Sequence, residues 1–156
     1  MSLKDELKMS RDFVSVQQEA QLSLTRTLSI IDPFFSSIFA EHKLTAPQYN
    51  ILRILNGNKN KDGMSCSDIG ERMVTRDSDL TRLLDKLEKS GWVERHRPEH
   101  DRRKVLTKIT TSGQDILKQI HPKLEKANQQ VMGHMKESDL KKLTKLLDDI
   151  RQPHLL

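Results

Sequence analysis

Residues 65–110 decide the fold, and their sequence is SCSDIGERMVTRDSDLTRLLDKLEKSGWVERHRPEHDRRKVLTKIT. Residues 67–73 have the character of a short helix, and residues 76–78 have the composition of a turn. Asp77 or Ser78 is the expected N-cap of a second helix, because a short oxygen-bearing side chain can accept hydrogen bonds from N–H groups of the first turn. This stretch therefore predicts two helices joined by a tight turn.

The second of these helices is predicted to have one apolar and one polar face. Its apolar residues recur at spacings of three and four, which predicts packing against a core: Leu80, Leu83, Leu84 and Leu87. Ser90-Gly91 should end the helix, since glycine readily adopts the left-handed conformation that a helix C-terminus commonly needs. Two short extended runs follow, at residues 92–97 and 104–109, with a polar loop between them. Two helices and a basic hairpin together predict a winged helix, which places one helix in a DNA groove and a loop beside it.

The same residues resemble the signature of the MarR family of transcriptional regulators. The matching pattern is Leu80-x-Arg82-x-x-x-x-Leu87-Glu88-x-x-Gly91-Trp92-Val93, then Asp101-Arg102-Arg103, then Thr110-x-x-Gly113. It extends over residues 80–113 without a gap, and a weaker resemblance extends over nearly the whole chain. The resemblance implies a mainly α fold with a small β hairpin, in which a winged helix-turn-helix is flanked by N- and C-terminal dimerisation helices.

Composition agrees with one elongated, helical subunit. The length of 156 residues suits a single domain at 1–156, in which we expect residues 45–110 to bind DNA and residues 10–42 and 113–152 to form dimerisation helices. Aromatic residues make up only 4% of the chain, which favours a core completed by pairing. The net charge is +5, and residues 95–108 hold six Arg or Lys against two acids. Positive charge therefore concentrates in the predicted wing and favours a polyanionic partner.

Two helices are expected before residue 65. Residues 1–9 are a polar arm, and a long amphipathic helix should follow over residues 10–42. Pro33 interrupts that pattern, so either a kink or a restart with Asp32 as cap is expected. Thr45 should cap the next helix, with a proline in its first turn where the missing N–H costs little.

Two further helices are expected after the wing. Thr111 or Ser112 should cap the first, at residues 113–135. Pro122 lies inside it, and because the apolar spacing continues on both sides we predict a bend and not a break. Ser138 should cap the last helix.

Sequence signals for other function classes are weak. His96 and His100 are four apart, but Pro98 between them prevents the helix on which that spacing would bring two metal ligands together. We therefore expect no metal site and no cofactor, and since no nucleophile motif is present we expect no catalytic residue. Cys66 is expected to be an unreactive residue at a helix start, with a redox sensor as the minor alternative. No signal peptide or membrane span is predicted, so we expect a cytoplasmic protein.

Ten residues of the helix pair and the wing are predicted to contact double-stranded DNA: Arg76, Ser78, Asp79, Thr81, Arg82, Lys86, Asp101, Arg102, Arg103 and Lys104. Those in the first turns of the second helix should approach base edges, whereas Lys86 and Lys104 are better placed for phosphates. Arg103 should enter the minor groove with Asp101 orienting it, as the resemblance also implies. Asp79 could accept a hydrogen bond from a cytosine amino group or merely repel phosphates, and both roles stay open. The alternative for Arg82 and Lys86 is a solvated charged face.

The resemblance further implies a cleft between the dimerisation helices and the winged helix, where many relatives accept small aromatic acids. Phe39, His42, Tyr49 and Arg53 are the candidates by position, because aromatic rings and a cation suit such an anion. Each of them has a core or surface role as its alternative.

Together these patterns predict a transcriptional regulator, namely a repressor that binds an inverted-repeat operator as a homodimer and is released by a small phenolic or aromatic acid. The alternative from another class is a protein-interaction adaptor whose winged helix binds protein. Salt dependence separates the two, since DNA binding through several phosphate contacts weakens steeply with added salt.

Overall fold

The computed structural model describes residues 2–58, 62–75, 79–99 and 101–155. In this part of the chain the elements are α1 (Leu3–Glu6), α2 (Val16–Glu41), α3 (Ala46–Asn56), α4 (Cys66–Glu71), α5 (Leu80–Lys89), β1 (Val93–His96), β2 (Leu106–Ile109), α6 (Thr111–Met132), α7 (Glu137–Arg151) and a 3-10 turn at Gln152–His154. The predicted mainly α fold with a small β hairpin is confirmed.

The core of the winged helix forms around α3. This helix contacts α4, α5, α6 and β2, and Ile51 and Leu52 on it have no exposed surface. The predicted leucine face of α5 packs against it, with Leu84 and Leu87 buried. Thr45 caps α3 as predicted: its Oγ1 accepts a hydrogen bond from the Gln48 N–H at 3.4 Å, and the Gln48 side chain accepts one from the Thr45 N–H at 2.9 Å.

The predicted stop of α5 and the hairpin after it are both confirmed. Gly91 has a φ of +74°, its N–H donates to the Glu88 carbonyl at 2.8 Å, and the Trp92 N–H donates to the Leu87 carbonyl at 3.0 Å. These two bonds form a Schellman motif. β1 and β2 pair in antiparallel fashion, with Val93 opposite Ile109.

A third short segment, which the sequence does not predict, joins the hairpin. The Met64 N–H donates to the Thr107 carbonyl at 3.0 Å, and the Thr107 N–H donates to the Met64 carbonyl at 2.8 Å. Gly63 precedes this bridge with a φ of +98°, and a Cβ atom there would lie 2.6 Å from the Thr107 carbonyl oxygen. Only glycine therefore allows the segment before α4 to approach the wing so closely.

The caps predicted for three helices, α5, α6 and α7, differ from the structure. Thr110, and not Thr111 or Ser112, caps α6: its Oγ1 accepts a hydrogen bond from the Gly113 N–H at 3.1 Å and donates to the Gly91 carbonyl at 2.7 Å. Ser138 lies inside α7, which begins one residue earlier, after Lys136. α5 begins at Leu80 with Asp79 in the cap position, whereas Asp77 and Ser78 lie outside the described residues.

The first turn of α6 fits tightly against the base of the hairpin. A Cβ atom on Gly113 would lie 2.2 Å from the Trp92 carbonyl oxygen and 2.7 Å from the Ile109 side chain. Any side chain at residue 113 would therefore clash with the backbone of Trp92 and with the side chain of Ile109.

The long helices are continuous, with ends that differ from the prediction. α2 begins at Val16 and not near residue 10, because Ser15 caps it, accepting a hydrogen bond from the Gln18 N–H at 3.2 Å. α2 runs through Pro33, so a restart at Asp32 is wrong: the proline removes one N–H, and the helix is retained by its packing on α6.

The first helix after the wing, α6, is also continuous through a proline. It runs unbroken through Pro122, as predicted, and ends at Met132 and not Met135, because Gly133 follows as its C-cap. None of the helices in the described ranges has both the length and the apolar character that crossing a membrane requires.

Candidate nucleic-acid interface and effector cleft

The polar face of α5 presents exposed side chains next to the predicted DNA-reading turn. Thr81, Arg82 and Lys86 are exposed, while the leucine face of the same helix lies against the core. Arg82 Nη1 lies 3.5 Å from Asp79 Oδ2, with the two side chains 71% and 55% exposed. A pair this open is weak in water, so the arginine can leave it for another acceptor. Arg76 and Ser78 lie outside the described residues.

The tip of the wing is organised by Asp101. Its Oδ1 accepts a hydrogen bond from the Arg103 N–H at 3.2 Å and lies 3.7 Å from Arg103 Nε, while its Oδ2 lies 3.9 Å from Lys104 Nζ. The carboxylate is mostly covered, at 26% exposed, whereas the Arg103 side chain is 96% exposed. Arg97 supports the turn by donating to the Arg102 carbonyl at 3.0 Å. The acid therefore faces inward and the cations project outward.

A contact that the sequence does not predict ties the wing to α5. Arg95, on β1, donates from Nε and from Nη2 to Glu88 Oε2 at 2.9 and 2.5 Å, and from Nη2 to Asp85 Oδ1, both acids being on α5. The hydrogen bond from Arg95 holds the pKa of Glu88 below its usual value, and the bond to Glu88 raises the pKa of Arg95. The available signal was the pair of acids three residues apart on the helix before a strand bearing an arginine.

A cleft of about 650 Å³ lies between α2, α3 and α6, and it contains three of the four predicted effector residues. Phe39 and Tyr49 stack with their ring centroids 4.8 Å apart, and Arg53 lies on the same helix as Tyr49. Burial raises the pKa of the Tyr49 phenol, and the charge of Arg53 opposes that rise. An aromatic surface beside a cation is therefore present.

His42 is not part of this cleft. Its Nε2 lies 3.3 Å from Lys123 Nζ, which pairs with Glu41 Oε2 at 2.5 Å, on another face of the α2 and α6 packing. The cleft also has lining residues that position in the sequence did not suggest: Asp32, Phe35, Ala46, Asn56, Leu117, His121, Leu124, Glu125 and Asn128. Most of these residues lie on α6, far from α3 in the chain. The spacing of neighbouring residues in the sequence therefore could not predict that they line the same cleft.

Two other kinds of site were considered from the sequence, a reactive cysteine and a metal site. Cys66 is exposed as the first residue of α4, a helix capped by Ser65, whose Oγ accepts a hydrogen bond from the Asp68 N–H at 3.2 Å. Within the described ranges, no group of three or more His, Cys, Asp or Glu side chains is arranged to hold a metal ion. His100 lies outside those ranges.

Comparison with known structures shows that the fold is shared. A mutant MarR from E. coli complexed with operator DNA superposes with a TM-score of 0.76 at 23% identity, over 90% of this chain and 99% of that one. BpsR from Bordetella bronchiseptica, whose DNA binding is regulated by 6-hydroxynicotinic acid, superposes with a TM-score of 0.75 at 21% identity, over 90% and 97%.

Comparison of sequences identifies the family. Residues 44–105 match the model of the MarR family. The HTH-type transcriptional regulator FarR from Neisseria gonorrhoeae is 30% identical over 112 residues, which are 70% of this chain and 75% of FarR. The chain therefore belongs to the MarR family, whose members are transcriptional regulators and not enzymes.

Proposed function

We propose that this protein is a sequence-specific repressor that binds an inverted-repeat operator as a homodimer. The observation that carries the proposal is the joined pair of basic surfaces: exposed Arg82 and Lys86 on α5, and exposed Arg103 and Lys104 on the wing, with Arg95 fastening the two elements together. Such an arrangement suits simultaneous contact with a groove and with the backbone beside it.

The residues predicted to contact DNA divide into those that would contact base edges and those that would contact the DNA backbone. We assign Ser78, Asp79, Thr81 and Arg82 to base edges in the major groove, since the first turns of a recognition helix normally approach them. Contacts with the DNA backbone position the protein without reading the base sequence. We assign them to four cations: Arg76, Lys86, Arg102 and Lys104. Arg103 is assigned to the minor groove, which attracts arginine where it is narrow. We assign Asp101 to orient it, since its carboxylate accepts a hydrogen bond from the Arg103 backbone N–H and lies 3.7 Å from Arg103 Nε.

Exposed apolar side chains on the outer helices support a homodimer. Leu28 and Phe34 on α2 are 61% and 46% exposed, and Leu146 and Ile150 on α7 are 61% and 51% exposed. A lone subunit would leave these side chains in water, which pairing would prevent. A twofold dimer places its two recognition helices about one DNA turn apart, so the half-sites should be inverted repeats. Sedimentation should give a dimer at micromolar concentration, and a stable monomer there would contradict this assignment.

We further infer that a small aromatic acid bound between α2, α3 and α6 releases the DNA. Phe39 and Tyr49 offer stacked rings and Arg53 offers a cation, and the related fold of BpsR responds to 6-hydroxynicotinic acid. Binding regulates DNA affinity only if the ligand prefers one spacing of the two recognition helices over the other. The measurable consequence is a lowered affinity for operator DNA when the ligand is present.

The decisive test is the salt dependence of binding to the DNA that flanks the protein's own gene. Lys86 and Lys104 in two subunits would make four phosphate contacts, so the logarithm of the affinity should fall with the logarithm of salt concentration with a slope of about −4 or steeper. Scrambled DNA of the same length should bind more weakly with a similar slope. Failure to bind either DNA would favour the adaptor alternative, and binding without salt dependence would contradict the phosphate contacts assigned to Lys86 and Lys104.

A further inference from the structure

The cleft between α2, α3 and α6 has an apolar floor and a charged rim of both signs. Phe39 is buried, and Phe35, Tyr49, Leu117 and Leu124 are partly buried against the core. On the rim, one cation, Arg53, and two carboxylates, Asp32 and Glu125, line the same cleft, and all three side chains are exposed. None of these three charges forms an ion pair or a side-chain hydrogen bond with another residue in the described ranges. Two carboxylates and one guanidinium group therefore line this opening.

The charges follow an order along the cleft. At one end, Arg53 lies a turn after Tyr49, near Asn56 and His121, which also line an adjoining cleft of about 500 Å³. Glu125 lies one turn further along α6 than His121, and Asn128 nearly one turn beyond that.

The other end of the cleft is acidic because α2 and α6 run in opposite directions. Lys123 pairs with Glu41, whereas Gln130, further along α6, shares a groove with Phe34, earlier on α2. Asp32 therefore lies toward the C-terminal half of α6. The distance from the level of His121 to that of Asn128 is about 10 Å along the helix axis, which an aromatic ring with substituents at opposite ends can span.

We propose that this cleft selects amphoteric aromatic molecules, which carry a carboxylate at one end of a ring and a protonated amine at the other. The carboxylate pairs with Arg53, the ring lies on the Phe39 and Tyr49 pair, and the ammonium group pairs with Asp32 and Glu125. A plain aromatic acid satisfies the arginine but leaves both carboxylates facing its uncharged end. An ammonium group there is attracted by both acids and by the faces of nearby rings. This inference rests on the proposed effector function and refines it by naming the ligand class.

Two ligands of matched size test the inference: 4-(aminomethyl)benzoate and 4-ethylbenzoate. They share the ring and the carboxylate and differ only in whether the far end is charged. Titration calorimetry on the full chain should show the amine binding about fivefold tighter or more, a modest factor because exposed ion pairs are weak. The preference should shrink as salt is added, since the charges concerned are open to solvent. Hydrophobic burial alone would favour the ethyl compound instead.

Variants assign the preference to named side chains. Glu125→Gln and Asp32→Asn should each reduce it, and the double variant should abolish it while leaving the affinity for 4-ethylbenzoate nearly unchanged. Arg53→Met should weaken both ligands by the same factor and leave their ratio intact. The matched control is Glu71→Gln, an exposed acid on α4 outside the cleft lining, which should change neither affinity.

The outcomes distinguish this inference from the proposed function beneath it. If 4-ethylbenzoate binds as well as the amine or better, the amphoteric selectivity is wrong while an aromatic-acid effector site stands. If the amine is preferred but the double variant keeps the preference, the two carboxylates are not its cause and the inference is overturned. If neither ligand binds the wild-type protein, the effector function and the inference fall together.

Discussion

Replacing Arg95 by methionine would remove the contact that fastens the wing to α5. The substitution keeps the aliphatic stem and deletes the guanidinium group, so three hydrogen bonds to Glu88 and Asp85 are lost. Hydrogen bonds to charged groups are worth about 1.5–3 kcal/mol each when well covered, but exposed pairs contribute about 0–1 kcal/mol. Arg95 is 24% exposed, and Glu88 and Asp85 are 39% and 56% exposed, which argues for the lower range.

The expected loss of folding free energy is therefore about 1–2 kcal/mol for the whole cluster. In a protein of this size that corresponds to a melting temperature lower by about 2–8 °C. Thermal denaturation followed by circular dichroism measures it. Arg11→Met, at an exposed arginine near the N-terminus, is the matched control and should melt with the wild type. Arg95→Lys should lie between, because it keeps the charge but loses the planar fork.

DNA binding supplies the second measurement. In the wild type, the fixed geometry should penalise a one-base-pair insertion between the recognition half-site and the flank that the wing contacts. In Arg95→Met the wing is no longer held to α5, so the affinity should fall and the penalty for the insertion should shrink. If the variant melts within about a degree of the wild type and keeps the full insertion penalty, the hairpin pairing alone positions the wing and the reasoning is refuted.

Lowering the pH should remove the contribution of the Arg95–Glu88 pair to folding stability. Because Arg95 lowers the pKa of Glu88 in the folded protein, the unfolded chain takes up the proton at a higher pH than the folded one. The pair therefore stabilises the protein fully above the ordinary glutamate pKa, and this stability is lost as the pH falls through the lower folded value. The melting difference between the wild type and Arg95→Met should accordingly shrink below about pH 4. A difference that stays constant into acid would exclude Glu88 as the partner that matters.

Three further outcomes are expected. Arg82→Ala should cost about 1–3 kcal/mol of binding free energy and relax the preference at one base pair, whereas Lys86→Ala should weaken all sequences alike and flatten the salt slope by about one unit, both measured by fluorescence anisotropy. Arg103→Ala should lose affinity chiefly on A·T-rich flanks, and an equal loss on G·C-rich flanks would make the wing a phosphate clamp. Thr110→Val should destabilise the fold by about 1 kcal/mol through loss of the α6 cap, while Ser138→Ala, inside α7, should leave the denaturation midpoint nearly unchanged.

Local patterns in the sequence were enough to predict the winged helix. The leucine spacing of α5 and the glycine that ends it concern neighbours along the chain, and the structure reproduces both. Features set by distant contacts were not predictable in the same way. Thr110 was overlooked as the α6 cap because its hydroxyl also bonds to Gly91, nineteen residues away. The bridge at Met64 likewise depends on a segment folding back onto the hairpin.

The candidate sites also differ in whether their residues are neighbours in the chain. Asp101 and its neighbouring cations lie together in three-dimensional space because they lie together in the chain, so the wing tip could be described from the sequence. The cleft takes residues from three helices, and the rotation of each helix about its axis decides which side chains enter it. His42 was placed there by proximity to Phe39, but at the end of α2 it faces Lys123 instead. The link from Arg95 to α5 was missed because it joins two elements whose relative placement only the fold determines.

The tight fit of Gly113 has a mechanical consequence for how a signal could reach the DNA. Because backbone and core atoms lie so close to this position, the start of α6 has little room to rotate relative to the hairpin, so we expect the two to move together. A tilt of α6 should therefore carry the wing with it, and the contacts of Arg95 with Glu88 and Asp85 should carry α5 as well. The cleft between α2, α3 and α6 lies further along α6. If the proposed ligand displaces α6 there, the hairpin and α5 should move with it, which would change the separation of the two surfaces proposed to bind DNA.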